Sequence, residues 1–203
     1  MKHAKILALL AVAVAALTAF SASASAATIT SPTGTTYSKS ISATSTNSAL
    51  DGAFVTVTCS HSEVTAGITS QGAGQTIKAS VSTLDFTSCN FPVKVEANGT
   101  LELHAINPKT PHETCNTGKD NCWGTLTSTG AKVKIETSLG NCVFTTNATS
   151  VGTVTPTSQT GATGVLDIAG AIPRTEGSFL CGSSGTWTGN YTVNTPDNFW
   201  LDQ

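Results

Sequence analysis

The 203-residue chain has little charge: Lys, Arg, Asp and Glu together make up 11% of it, aromatic residues 6%, and methionine occurs once. With so few cations there is no basic stripe to neutralise a phosphate backbone, which argues against nucleic acid or an anionic membrane as a partner. Helical periodicity is missing after residue 26, while alternation of apolar and polar residues is everywhere. No Gly-x-Ser-x-Gly elbow, His-Glu-x-x-His pair or phosphate loop is present to supply a nucleophile, a metal pair or an anion cradle. The absence of a Cys-x-x-Cys motif argues against disulfide exchange. One uncharged apolar run exists, Ile6 to Phe20; its 15 residues fall short of the roughly 20 that a spanning helix needs.

That run sits behind a basic head (Lys2, Lys5) and ahead of the small-residue triplet Ala24, Ser25, Ala26, the layout of a secretory signal peptide over residues 1–26. The expectation is a single exported domain over residues 27–203, secreted or held peripherally outside the cytoplasm, with no membrane span. Its 177 residues suffice for one core, and losing the two leader lysines leaves 8 basic and 12 acidic residues, a net charge near −4.

Lys132, Lys134 and Glu136 alternate with Val133, Ile135 and Thr137, and Glu102 and His104 with Leu101, Leu103 and Ala105. Each such stretch reads as a strand with one wet and one dry face. The same reading places Val55, Val57 and Cys59 on one face, Phe179 and Cys181 on one, and Trp187, Tyr191 and Val193 on another; Leu84, Phe86, Leu166 and Ile168 complete the expected core. A Gly-Thr-apolar step recurs at Gly99, Gly124, Gly152 and Gly185 and reads as a turn glycine handing over to a strand. The expected fold is all-β: an antiparallel β-sandwich, Greek-key or immunoglobulin-like, with disulfides, and a β-helix as the outsider.

The six cysteines, an even number in an exported chain, read as disulfides. Cys115 and Cys122 enclose the turn-forming Asn-Thr-Gly-Lys-Asp-Asn and pair first; the eight-residue ring is worth about 2.5 kcal/mol on loop entropy. Cys59 with Cys89 and Cys142 with Cys181 are favoured, each joining strand ends within one half of the chain; the crossed pairing of Cys59 with Cys181 and Cys89 with Cys142 stays open. A zinc site would draw on His112, Cys115 and Cys122 with Glu113 or Asp120, but the ligands do not form two close pairs, and export favours oxidation. No cofactor, metal ligand or catalytic residue is expected.

About 17 residues separate the strands ending near Ala105 and beginning near Trp123, and His112, Lys119, Asp120 and Trp123 form a candidate contact loop there. In His61-Ser62-Glu63, neighbours on an extended strand point to opposite faces, so Ser62 cannot join the other two. Glu102 and Glu136 read as solvated surface charges. Trp187 reads as core and Trp123 as exposed.

The start ATITSPTGTTYS, the cysteine-ended strands VTVTC and LDFTSC, PVKVEANGTLEL, and the late LDIAGAIP, SFLC and GTWTGNYTV resemble uncharacterised exported actinobacterial proteins. More distantly, they are similar to the family named for the alkane-oxidation activator PraB. That resemblance implies an extracellular or matrix role and carries over no functional residue. The function expected is that of a secreted or cell-surface, non-enzymatic structural or interaction protein, whose partner is an extracellular polymer, an envelope component or another surface protein. The alternatives are a module that binds a carbohydrate or a small apolar ligand and, in reserve, a hydrolase.

Mass spectrometry of the exported chain should give a native mass six hydrogens below the reduced mass, and peptide mapping the pairing; a retained metal would overturn the disulfide assignment of Cys115 and Cys122.

Overall fold

The computed structural model describes residues 27–72, 74, 76–108, 110, 122–138, 140–157, 163–177 and 179–203. The expected leader lies outside them. In chain order the strands are β1 (Thr28–Thr30), β2 (Ser40–Ser45), β3 (Ser48–Asp51), β4 (Thr56–Ser70), β5 (Thr76–Cys89), β6 (Val93–Ala97) and β7 (Thr100–Ala105). They continue as β8 (Gly124–Thr129), β9 (Lys132–Thr137), β10 (Gly140–Thr145), β11 (Thr149–Thr155), β12 (Val165–Gly177), β13 (Ser184–Thr195) and β14 (Trp200–Asp202). Threonine, β-branched and half polar, fills the outward positions of these strands, where its methyl packs on the sheet and its hydroxyl meets water.

Four pairs of strands run head to tail as single kinked staves: β2 with β3, β6 with β7, β8 with β9 and β10 with β11. The strands β4, β5, β12 and β13 are staves without a break. Every stave pairs antiparallel with the next in sequence, and the last, β13, pairs with both β2 and β3 of the first. The sheet therefore closes into an up-and-down barrel of eight staves. This corrects the expected sandwich. Alternation reports only that each strand has one dry face, which sandwich and barrel share; what separates them is the pairing of Trp187 with Leu50 and Thr192 with Thr44, written nowhere in the local pattern.

The kinks of the three successive staves β6–β7, β8–β9 and β10–β11 brace one another. Gly99 has φ +73°, and a Cβ on it would stand 2.4 Å from the backbone nitrogen of Ala131 in the next kink. Thr146, in the kink after that, accepts from the Ala131 N–H at 2.9 Å and shares a hydrogen bond with Ser128 at 3.0 Å. Gly152 corrects the turn-glycine reading: it lies inside β11, where a Cβ would meet the Asp167 carbonyl oxygen of β12 at 2.1 Å, so it permits close approach of two strands.

One end of the barrel, the turn end, has the short connections 52–55 and 90–92, the step from β9 to β10, and the 3₁₀ turn Phe179–Cys181. Phe179 and Cys181 thus belong to a turn, a third correction: a spacing of two residues imitates a strand face. The other, the ribbon end, carries the longer connections and the two-stranded ribbon of β1 with β14. Ile29, Phe199 and Leu201 of this ribbon are buried in one cluster with Ile77, Leu103, Leu126 and Val154. Each such side chain contributes about 2 kcal/mol. The wall has one seam: β5 pairs with β7 only from Thr76 to Ser80, and β6 pairs with β9 alone, so toward the turn end β5 and β6 share no ladder.

Both pairings favoured from the sequence are present: Cys59–Cys89 links opposite residues of β4 and β5, and Cys142–Cys181 ties β10 to the 3₁₀ turn. Cys122 is also disulfide-bonded; Cys115 lies outside the described residues.

The two bridges span 30 and 39 residues, so the double variants C59A/C89A and C142A/C181A should each lose about 3 to 4 kcal/mol in guanidinium unfolding. An unchanged midpoint would show that the turns hold without them.

Candidate functional site

Of the expected contact loop, His112, Lys119 and Asp120 lie outside the described residues, as does Glu113. Trp123 is half-buried; its carbonyl accepts from the Ile106 N–H at 3.0 Å, and with Cys122, Thr153 and Thr155 it borders a shallow depression. His61 is exposed, Ser62 fully buried and Glu63 half-buried, so the three separate onto opposite faces of β4. Glu102 pairs with Lys78 at 3.0 Å in the ribbon half, and Glu136 with Lys134 at 2.8 Å in the turn half. The fold does not bring these two carboxylates together. Among the described residues no three of His, Cys, Asp and Glu gather where they could hold a metal ion.

The outer wall is a coat of hydroxyls and amides: Thr56, Thr58, Ser80, Ser82, Thr83, Thr186, Asn190 and Thr192 are all exposed. Such a coat is the opposite of the apolar band with which a spanning barrel meets lipid. Two large apolar side chains break it at the turn end. Phe54 is 73% and Phe179 is 80% exposed, where a phenyl ring in water forgoes about 2 kcal/mol of burial.

These rings stand on adjoining turns. The first closes with the Gly52 N–H donating to the Val55 carbonyl at 2.8 Å, and the second with the Gly182 N–H donating to the Phe179 carbonyl at 3.1 Å. A Cβ on Gly182 would lie 2.9 Å from the Ala53 Cβ, so the two turns pack on each other. The Cys142–Cys181 bridge holds the second turn to the wall. Residues 52–55 and 179–183 carry no charge.

Inside, the barrel is apolar but incompletely filled. Cavities of about 60, 30 and 40 Å³ follow one another from the ribbon end to the turn end. The first two share Val64, Leu101, Leu126 and Leu166; the last two share Ala131 and Trp187. Trp187 packs against all three core clusters and meets Phe86 and Tyr191 edge-on, at ring-centre distances of 5.6 and 6.1 Å. Ser62 Oγ donates to the Tyr191 hydroxyl at 2.8 Å, and burial pushes the Tyr191 pKa above its ordinary 10.0.

The sequence reading missed Phe54, took Phe179 for a core strand residue, and set Ser62 apart from His61 and Glu63 without placing it in the interior. Glycines at 52 and 182 beside the two phenylalanines were the available turn signal; a serine within a dry face carries none. No family model, curated protein or solved structure matches the chain.

Tyr191→Phe should cost about 1 to 2 kcal/mol, because Ser62 Oγ loses its buried partner. Since the folded pKa of Tyr191 is raised, the unfolded chain ionises first, and stability that is constant below pH 10.0 falls as the pH rises beyond it. The variant should show a shallower alkaline decline in unfolding titrations; what remains comes from Tyr37, whose pKa is also raised by burial, and from Lys132 and Lys134, whose pKa values are raised by hydrogen bonds to Glu176, Glu96 and Glu136.

Proposed function

We propose that this chain is an exported, non-enzymatic interaction protein, a rigid barrel that docks through the Phe54 and Phe179 tip onto an uncharged apolar surface of the envelope or extracellular matrix. The observation that carries this reading is the contrast between a hydroxyl-coated wall and two exposed phenyl rings on neighbouring turns. Rings fixed by turn hydrogen bonds and a disulfide lose little conformational freedom when they insert, and so keep most of the gain from leaving water. Their turns carry no charge, so the surface they fit is apolar and uncharged rather than ionic. A second reading, a module for a small apolar ligand, is favoured by the row of apolar cavities in the lumen.

Vesicles of zwitterionic phosphatidylcholine serve as the model surface. The exported chain should sediment with them, with little dependence on salt. F54S/F179S should weaken the association about a thousandfold, from about 2 kcal/mol per ring, without lowering the unfolding midpoint. Binding that survives the double substitution, or that collapses in high salt, would sink the tip as the docking element.

A further inference from the structure

Two polar atoms in the lumen have no hydrogen-bond partner: Ser48 Oγ, on a residue 1% exposed, and Trp187 Nε1. Both residues line the cavity of about 40 Å³ toward the turn end, whose other walls include Val57, Ile135, Phe144 and Ile172. They are brought together by register. Ser48 on β3 stands opposite Gly189 of β13, with Trp187 two residues to one side of that glycine and Tyr191 two residues to the other. A side chain at Gly189 would meet the Tyr191 ring at 2.8 Å and Ser48 Cβ at 3.4 Å, so its absence leaves room for Ser48, Trp187 and Tyr191 to share the inward face. Ser48 and Trp187 both face the Tyr191 hydroxyl as weak hydrogen-bonding neighbours that lower its pKa, but neither makes a bond of normal length and angle with it. Two donors in a dry cavity, both unsatisfied, are the arrangement that an acceptor on a ligand completes.

We propose that the lumen holds a small, neutral, mainly hydrocarbon molecule with one carbonyl oxygen, which accepts from Ser48 Oγ and Trp187 Nε1. This rests on the ligand-binding reading above and adds the chemistry of the occupant. The molecule is neutral because no charged side chain lines any of the three cavities, so a carboxylate would lose its water and find no counter-charge. Its hydrocarbon part extends past Trp187 and Ala131 into the cavity of about 30 Å³. The seam gives it a way in: Phe86 of β5 and Val93 of β6 line the same cavity from the two sides where the wall has no ladder.

The test compares 2-heptanone, heptane and heptanoate on the exported chain, read by thermal shift, by titration and by the indole N–H resonance of Trp187, which is assigned by its loss in W187F. The ketone should bind about tenfold more tightly to the native chain than to S48A, the difference one hydrogen bond makes, and move that resonance downfield, while the alkane binds both chains alike and leaves it still. Heptanoate should bind only as the pH falls to about 4.5, where the carboxyl takes up its proton. S48A should narrow the preference for ketone over alkane while leaving the free protein at least as thermally stable, since it removes an unsatisfied hydroxyl. Ketone binding that S48A leaves unchanged, with a still Trp187 resonance, would overturn the acceptor site and leave the apolar lumen standing. If none of the three raises the midpoint or shifts any indole signal, the ligand-binding reading fails with it.

Discussion

The pairing of β13 with β2 and β3 is the contact on which the rest of the structure depends. It joins residues 148 and 137 positions apart, Thr192 to Thr44 and Trp187 to Leu50. Until it forms, the other staves are a flat meander with two open edges, and the apolar face that becomes the lumen is exposed to water. Closure buries that face at one stroke. The loop that must be brought together is nearly the whole wall, but the entropic cost grows only with the logarithm of its length, and the apolar area enclosed grows much faster.

The two sides of the wall then take on different tasks. Threonine and serine outside give the wall a polar coat with few charges, and the ion pairs among exposed residues such as Lys78 and Glu102 add little. Inside, small residues such as Ala43, Ala66 and Ala131 stand among the leucines, isoleucines and valines, and their short side chains leave the space that larger ones would fill. Trp187 is the pivot of this interior, since among the described residues it alone packs against all three clusters.

Much of the wall was legible in the sequence. The strands over Lys132–Thr137 and Thr100–Ala105, the shared face of Trp187, Tyr191 and Val193, and the separation of His61 from Ser62 all follow from period-two alternation. Closure was not, because pairing between distant strands leaves no local trace. Nor were the kinks: Gly130 and Ala148 adopt positive φ, at 76° and 48°, where the chain merely passes from one half of a stave to the other, and such sites look like ordinary turns in sequence. Phe179 misled for a different reason. Its two-residue offset from Cys181 fits a strand as well as it fits a turn pinned by a disulfide, and only the cross-link to Cys142 settles which. Ser48 and Ser62 are polar residues on dry faces, and hydropathy treats every serine alike.

The ribbon at the open end has a consequence of another kind. Thr28 lies opposite Asp202, so the first and last described strands are neighbours. Around the wall each stave likewise touches the one before and the one after, and the last touches the first. Residues 27–203 are thus close to a ring in connectivity as well as in cross-section. A gene that joined residue 203 to residue 27 by a short linker and opened the barrel in one of the turns would encode the same cycle of neighbours.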